Sequence, residues 1–226
     1  MRTLAPRPLA LSALTLSALT LSALTLASQS TTAYANPNAA PNAAQGKALY
    51  VTCTACHGAQ GEGNAALNAP ALAGQEPWYV ERQLKNFKSG ARGTHANDIY
   101  GMQMRPMAMT LADDAAVANV AAYVATFPAP AKEDMKGWGG DAARGQALYA
   151  TCSACHGAKA EGNAALNAPK LTGLPSWYLV RQLKAFKEGV RGTHAGDTYG
   201  AQMRPMAMML ADEQAMKDVV AFIKGR

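Results

Sequence analysis

The sequence predicts an all-α protein made of two homologous domains. Three observations carry this: the chain matches itself at a fixed offset, apolar residues within each copy recur at helical spacing, and no segment alternates with the period of a strand. With 226 residues there is room for one large or two small domains, and the repeat decides for two.

Residues 44–125 align without a gap on residues 143–224, an offset of 99. Cys53, Cys56 and His57 recur as Cys152, Cys155 and His156, Pro70 and Leu72 as Pro169 and Leu171, and Trp78 and Tyr79 as Trp177 and Tyr178. Gln83, Arg92 and His95 return as Gln182, Arg191 and His194, and Met104-Arg105-Pro106 as Met203-Arg204-Pro205. Solenoid repeats run to about 20–50 residues, so a unit this long is expected to be a domain with its own core. Pro128, Pro130, Gly137, Gly139 and Gly140 punctuate a stretch outside the repeat. The expected organisation is an N-terminal domain over 36–129, a linker over 130–140 and a C-terminal domain over 141–226. Trp138 in the linker has no counterpart, and it packs either at the domain interface or as an ordinary partly buried aromatic.

Each copy holds three expected helices. One contains Val80, Leu84 and Phe87, or Leu179, Leu183 and Phe186, at i, i+4, i+7, with Gly90 or Gly189 as its stop. Another follows Asp113 or Asp212 and carries Val117, Val120 and Val124, or Met216, Val219 and Ile223. A short one runs into the cysteines, with Gly46 and Tyr50, or Gly145 and Tyr149, on one face.

Residues 1–35 read as an export signal: Arg2 and Arg7, an apolar run from Leu9 to Ala27, and Ala33-Tyr34-Ala35 as the cleavage site. Export to the periplasm is expected, with an uncleaved anchor as the alternative. No later stretch approaches the ~20 apolar residues that span a bilayer. The formal charge of +6 falls to +4 without Arg2 and Arg7, and its basic residues are spread along both domains, which argues against a nucleic-acid partner.

The four cysteines occur only as Cys53-Thr54-Ala55-Cys56-His57 and Cys152-Ser153-Ala154-Cys155-His156. Two cysteines three apart place both thiols for thioether bonds to the vinyl groups of a haem, and the following histidine ligates the iron from the same side. Local disulfides or a zinc site are the rival readings; the second is short of ligands, because the remaining histidines are His95 and His194. Two such pentapeptides in equivalent positions of a duplicated chain point to two covalently bound haem c groups.

With Gly-x-x-x-Tyr before the cysteines, Pro-x-Leu-x-Gly after them and a methionine ahead of the last helix, each copy resembles class I cytochrome c. The tandem arrangement resembles the dihaem cytochromes c4 over nearly all the mature chain. That resemblance implies that the Pro70 and Pro169 carbonyls accept hydrogen bonds from His57 and His156, and that the two haems face one another across the interface. Methionines crowd the sixth-ligand segment: Met102, Met104, Met107 and Met109 in one copy, Met203, Met206, Met208 and Met209 in the other. In the resembled family the ligand lies about eight residues before the start of the last helix, and counting back from Ala112 and Ala211 gives Met104 and Met203; His95 and His194 are the competing ligands. Arg82, Arg92, Trp78 and Tyr79, with Arg181, Arg191, Trp177 and Tyr178, either bind propionates or serve as solvated and core residues.

The expected function is electron transfer, without catalysis or a small-molecule substrate. Its expected partners are periplasmic or membrane-bound redox proteins: a dehydrogenase, a cytochrome bc complex or a terminal oxidase. The alternatives are an electron-accepting subunit of a periplasmic dehydrogenase and a dihaem peroxidase. The mature chain is expected to begin at Asn36 and to keep the mass of two haems through denaturation and acid-acetone extraction. Intact mass spectrometry checks this, and one haem, or haem lost on denaturation, would refute the attachment.

Overall fold

The computed structural model describes residues 40–226, so the expected export signal lies outside the described residues. Helices α1 (Ala43–His57), α2 (Pro77–Ser89), α3 (Ile99–Met109) and α4 (Asp114–Val124) precede residues 130–140. Helices α5 (Ala142–His156), α6 (Ser176–Lys187), α7 (Thr198–Met208) and α8 (Glu213–Lys224) follow them. Pairing of extended backbone among the described residues is limited to two isolated bridges, Asn64 with Ala69 and Asn163 with Ala168. The fold is all-α. No helix among the described residues is long and apolar enough to cross a membrane.

The first and last helices of each half cross in direct backbone contact. A Cβ on Gly46 would lie 1.9 Å from the Asn119 carbonyl oxygen, and one on Gly145 would lie 1.9 Å from that of Asp218. No residue but glycine fits there. Tyr50, four residues on, is buried edge-on against Tyr123 and Phe127, and Tyr149 packs on Phe222. Val117, Val120 and Val124 on α4, and Met216, Val219 and Ile223 on α8, fill the two cores as their spacing predicts.

Helices α3 and α7 go beyond the sequence reading. The sequence analysis places no helix over the methionine segment, which contains Gly101 and Pro106, and a proline inside a helix ordinarily costs about 3 kcal/mol because it removes a donor and crowds the previous turn. Here the helix is short and firmly started: the Asp98 carboxylate accepts from the backbone N–H of Gly101 (3.0 Å) and of Gly93 (3.2 Å). Lys88 at the end of α2 donates to the Leu111 carbonyl just beyond α3, and Lys187 does the same to Leu210 beyond α7. The methionine segment is thereby tied at its start to the loop that follows α2 and at its end to α2 itself.

The linker is fastened to the C-terminal half. Glu133 accepts from the N–H and hydroxyl of Ser176 and pairs with Lys224, while the Trp138 indole N–H donates to the Lys217 carbonyl and its ring packs on the α5–α8 core. Trp138 is thus the partly buried aromatic of the two alternatives. Pro130 lies beside Gly74 and its counterpart Gly173.

The halves meet through reciprocal contacts. Arg82 on α2 donates to the Oδ1 (3.1 Å) and carbonyl (2.9 Å) of Asn167, and Arg181 on α6 donates to the same atoms of Asn68 (2.9 and 3.0 Å). Between them Arg92 and Arg191, both buried, share the side-chain oxygens of Gln83 and Gln182.

The copies differ where α1 and α5 begin. Asn119 accepts from the Asn42 N–H, whereas its counterpart, the fully buried Asp218, accepts from the N–H of Asp141 and from Arg144 and Gln214. Burial alone would raise the Asp218 pKa, but these donors hold it below the ordinary value of 3.8. A depressed carboxylate contributes stability that is complete above pH 3.8 and is lost as pH falls through the folded value. Asp218→Asn is therefore expected to destabilise the protein at neutral pH, by a margin that shrinks as pH falls below 3.8. Denaturant unfolding at both pH values checks this.

Candidate haem-binding sites

Each Cys-x-x-Cys-His closes a helix. His57 and His156 are the last residues of α1 and α5, and the following Gly58 and Gly157 turn the chain away at φ of 81° and 80°. Both imidazoles are buried, with Nδ1 2.8 Å from the carbonyl oxygen of Pro70 or Pro169. The carbonyl can only accept, so Nδ1 carries the proton and Nε2 keeps its lone pair. Burial pushes both imidazoles below the ordinary histidine value, while the carbonyl bond acts the other way. Neutral imidazole is the form that binds iron.

The loop that presents the carbonyl is itself tied down. The Tyr50 hydroxyl donates to the Gly58 carbonyl (3.0 Å), Gly63 N–H to His57 (2.8 Å) and Leu72 N–H to Gly61 (2.7 Å); Tyr149, Gly162 and Leu171 repeat the pattern. Asn68 and Asn167 turn the loop in the left-handed region, at φ of 56°, two residues before the prolines.

A cavity of about 670 Å³ lies beside the first motif, lined by Cys53, Cys56, His57, Leu72, Phe87 and Met104 among others. Its size and apolar lining suit a prosthetic group of haem size. Met104 is half-buried, whereas Met102, Met107 and Met109 are exposed; Met203 and Met206 are both half-buried. His95 and His194 sit on exposed loops, where Nδ1 accepts from the N–H of Asn97 or Gly196, and His95 lies outside the cavity lining. Cys53 and Cys152 are half-buried and burial raises their thiol pKa; Cys56 and Cys155 are exposed, and no disulfide joins the four.

The buried arginines supply a further fit. Arg92 and Arg191 stand in the interior with only amide oxygens for hydrogen-bond partners, and the Nε of each is unsatisfied. Two desolvated cations of this kind call for anions, which haem propionates provide. Arg82 and Arg181, by contrast, are committed to Asn167 and Asn68. The sequence marked Gln83 and Gln182 only as repeated residues; their oxygens now appear as the shared acceptors of the arginine pair.

The cytochrome c family model matches residues 43–128 and again 142–226. A cytochrome c4 of Thiocapsa roseopersicina is 36% identical over 185 residues, which cover 77% of this chain and 86% of the relative. The chain belongs to the dihaem cytochrome c4 family. The thiosulfate dehydrogenase electron acceptor of Stutzerimonas stutzeri is also 36% identical, over 73% of this chain and 81% of that one. The crystal structure of reduced cytochrome c4 from Pseudomonas stutzeri superposes with a TM-score of 0.66 at 28% identity, covering 82% of this chain and 99% of that one. As a member of the cytochrome c4 family the chain carries two covalent haem c groups and transfers electrons. The haems supply the one-electron couples. The protein holds each histidine in one tautomer, shields the cleft with apolar side chains and sets cations between its two halves.

Replacing Met104 or Met203 with Ala is expected to remove about half of the ferric methionine-to-iron charge-transfer band. His95→Ala and His194→Ala are expected to leave it intact. Visible absorption spectra of the four variants check this, and loss of the band in the histidine variants would reverse the assignment.

Proposed function

We propose that His57 with Met104, and His156 with Met203, are the axial ligands of two closed haem sites in domains 36–129 and 141–226, joined by the linker 130–140. In this reading the protein works in the periplasm as an electron carrier and has no catalytic activity of its own. The observation that carries it is the equivalence of the two sites. Each has the same 2.8 Å histidine-to-proline bond and the same Met-Arg-Pro-Met segment on a helix capped by aspartate, Asp98 or Asp197. Peroxide chemistry requires an iron that opens its sixth position, and neither site is specialised for that. Filled positions on both irons favour outer-sphere transfer, and methionine ligation raises the potential relative to bis-histidine.

The relative named as a thiosulfate dehydrogenase electron acceptor favours a dehydrogenase as the donor. The expected acceptor is a terminal oxidase or another oxidising membrane partner. The reduced protein is expected to take up no carbon monoxide at neutral pH, to show negligible peroxidase turnover, and to exchange two electrons per molecule in a redox titration. Rapid carbon monoxide binding at one haem, with peroxide turnover lost on replacing residues of that domain alone, would make it an enzyme.

A further inference from the structure

The arginines that cross between the halves reach the parts of the opposite domain that support its axial ligands. Arg181 belongs to the C-terminal half, yet it lines the cavity that holds Cys53, His57 and Met104. Its guanidinium donates two hydrogen bonds to Asn68, two residues before the Pro70 carbonyl that holds His57. The same guanidinium lies 4.4 Å from the ring centre of Tyr100, which precedes Met104 by one turn on α3. Arg82 repeats this in reverse: it grips Asn167, two residues before Pro169, and lies 4.6 Å from the ring of Tyr199, one turn before Met203 on α7.

We propose that Arg181 and Arg82 are positioning residues acting in trans, each clamping the histidine-supporting loop to the methionine helix of the other domain's haem site. The proposal rests on the ligand assignment given under Proposed function. One planar cation joins two segments that are about 30 residues apart in sequence, through a bidentate donor pair on one and a stacked ring on the other. An arginine suits this geometry and a lysine does not.

The clamps are unequal. The N-terminal half also holds the C-terminal site through Glu76, which accepts from the N–H of Lys170 next to Pro169, and through Asn86, which donates to the α7 cap Asp197. Their counterparts in the other copy are Pro175 and Ala185, which carry no such groups. The N-terminal haem site therefore depends on Arg181 more than the C-terminal site depends on Arg82.

The test uses the full holoprotein and imidazole as the probe, because imidazole binds ferric iron by displacing a methionine. A Met203→His background silences the charge-transfer band of the C-terminal haem, so the remaining band reports the N-terminal site; Met104→His does the converse. Arg181→Gln is expected to tighten imidazole binding at the N-terminal haem about tenfold and to change the C-terminal haem less than about twofold. Arg82→Gln is expected to show the reverse pattern with a smaller change. Arg181→Lys, which keeps the charge without the fork, is expected to behave like Arg181→Gln.

Hyperfine-shifted methionine methyl resonances of the otherwise unaltered protein give a second readout, in which the resonance of the opposite domain should move. An effect confined to the arginine's own domain, an equal effect on both haems, no effect, or full recovery with lysine overturns the trans clamp and leaves the ligand assignment standing. Absence of the band in the unaltered protein overturns both.

Discussion

The contact between the first and last helices of each half constrains everything built on it. With a glycine at the crossing, the α1 backbone lies against the Asn119 carbonyl and the α5 backbone against that of Asp218. This close approach fixes the axis of the helix whose final turn carries both cysteines and the histidine. A larger residue there would tilt the helix and carry the three reactive groups with it, and overpacking of this kind commonly costs about 1–3 kcal/mol. Tyr50 and Tyr149 extend the contact, since each hydroxyl reaches past the motif to the carbonyl of the glycine that follows the histidine.

Much of this was legible because duplication printed it twice. A lone Gly-x-x-x-Tyr or Cys-x-x-Cys-His is a weak pattern, but its recurrence at a constant offset identified the helix face and the haem motif together. The residues on α2 and α4 followed from period alone, because helices that bury one face write that face into their spacing. Helix α3 was not legible: Gly101 and Pro106 argue locally against a helix, and the groups that override them, Asp98 and Lys88, act from outside the segment. The same limit hid the partners of Arg82 and Arg181. Both arginines were visible as a repeated pair, but their acceptors lie in the opposite domain, and a periodic pattern contains no record of which loop faces which helix.

The two copies have also diverged where their surroundings differ. The amide of Asn119 and the carboxylate of Asp218 accept equivalent backbone bonds, but only the carboxylate, on α8, also recruits an arginine, Arg144 of α5. Glu76 and Asn86 hydrogen-bond to the C-terminal half, and their counterparts Pro175 and Ala185 have no side-chain group that could return such a bond. Such differences give near-identical sites separate environments, and separate environments are what set two haems to different potentials.

The reciprocal pairing of Arg82 with Asn167 and Arg181 with Asn68 has the form of an isologous dimer interface, in which one surface patch meets its own copy. Two separate single-domain chains would form it only at concentrations set by their affinity. A short tether that starts beside Gly74 and Gly173 and is fastened to one partner replaces that concentration with a local one, on the order of millimolar for short linkers. Fusion thus removes dilution as a variable, so that even a weak, polar interface of arginines and amides keeps both redox centres within one diffusing particle.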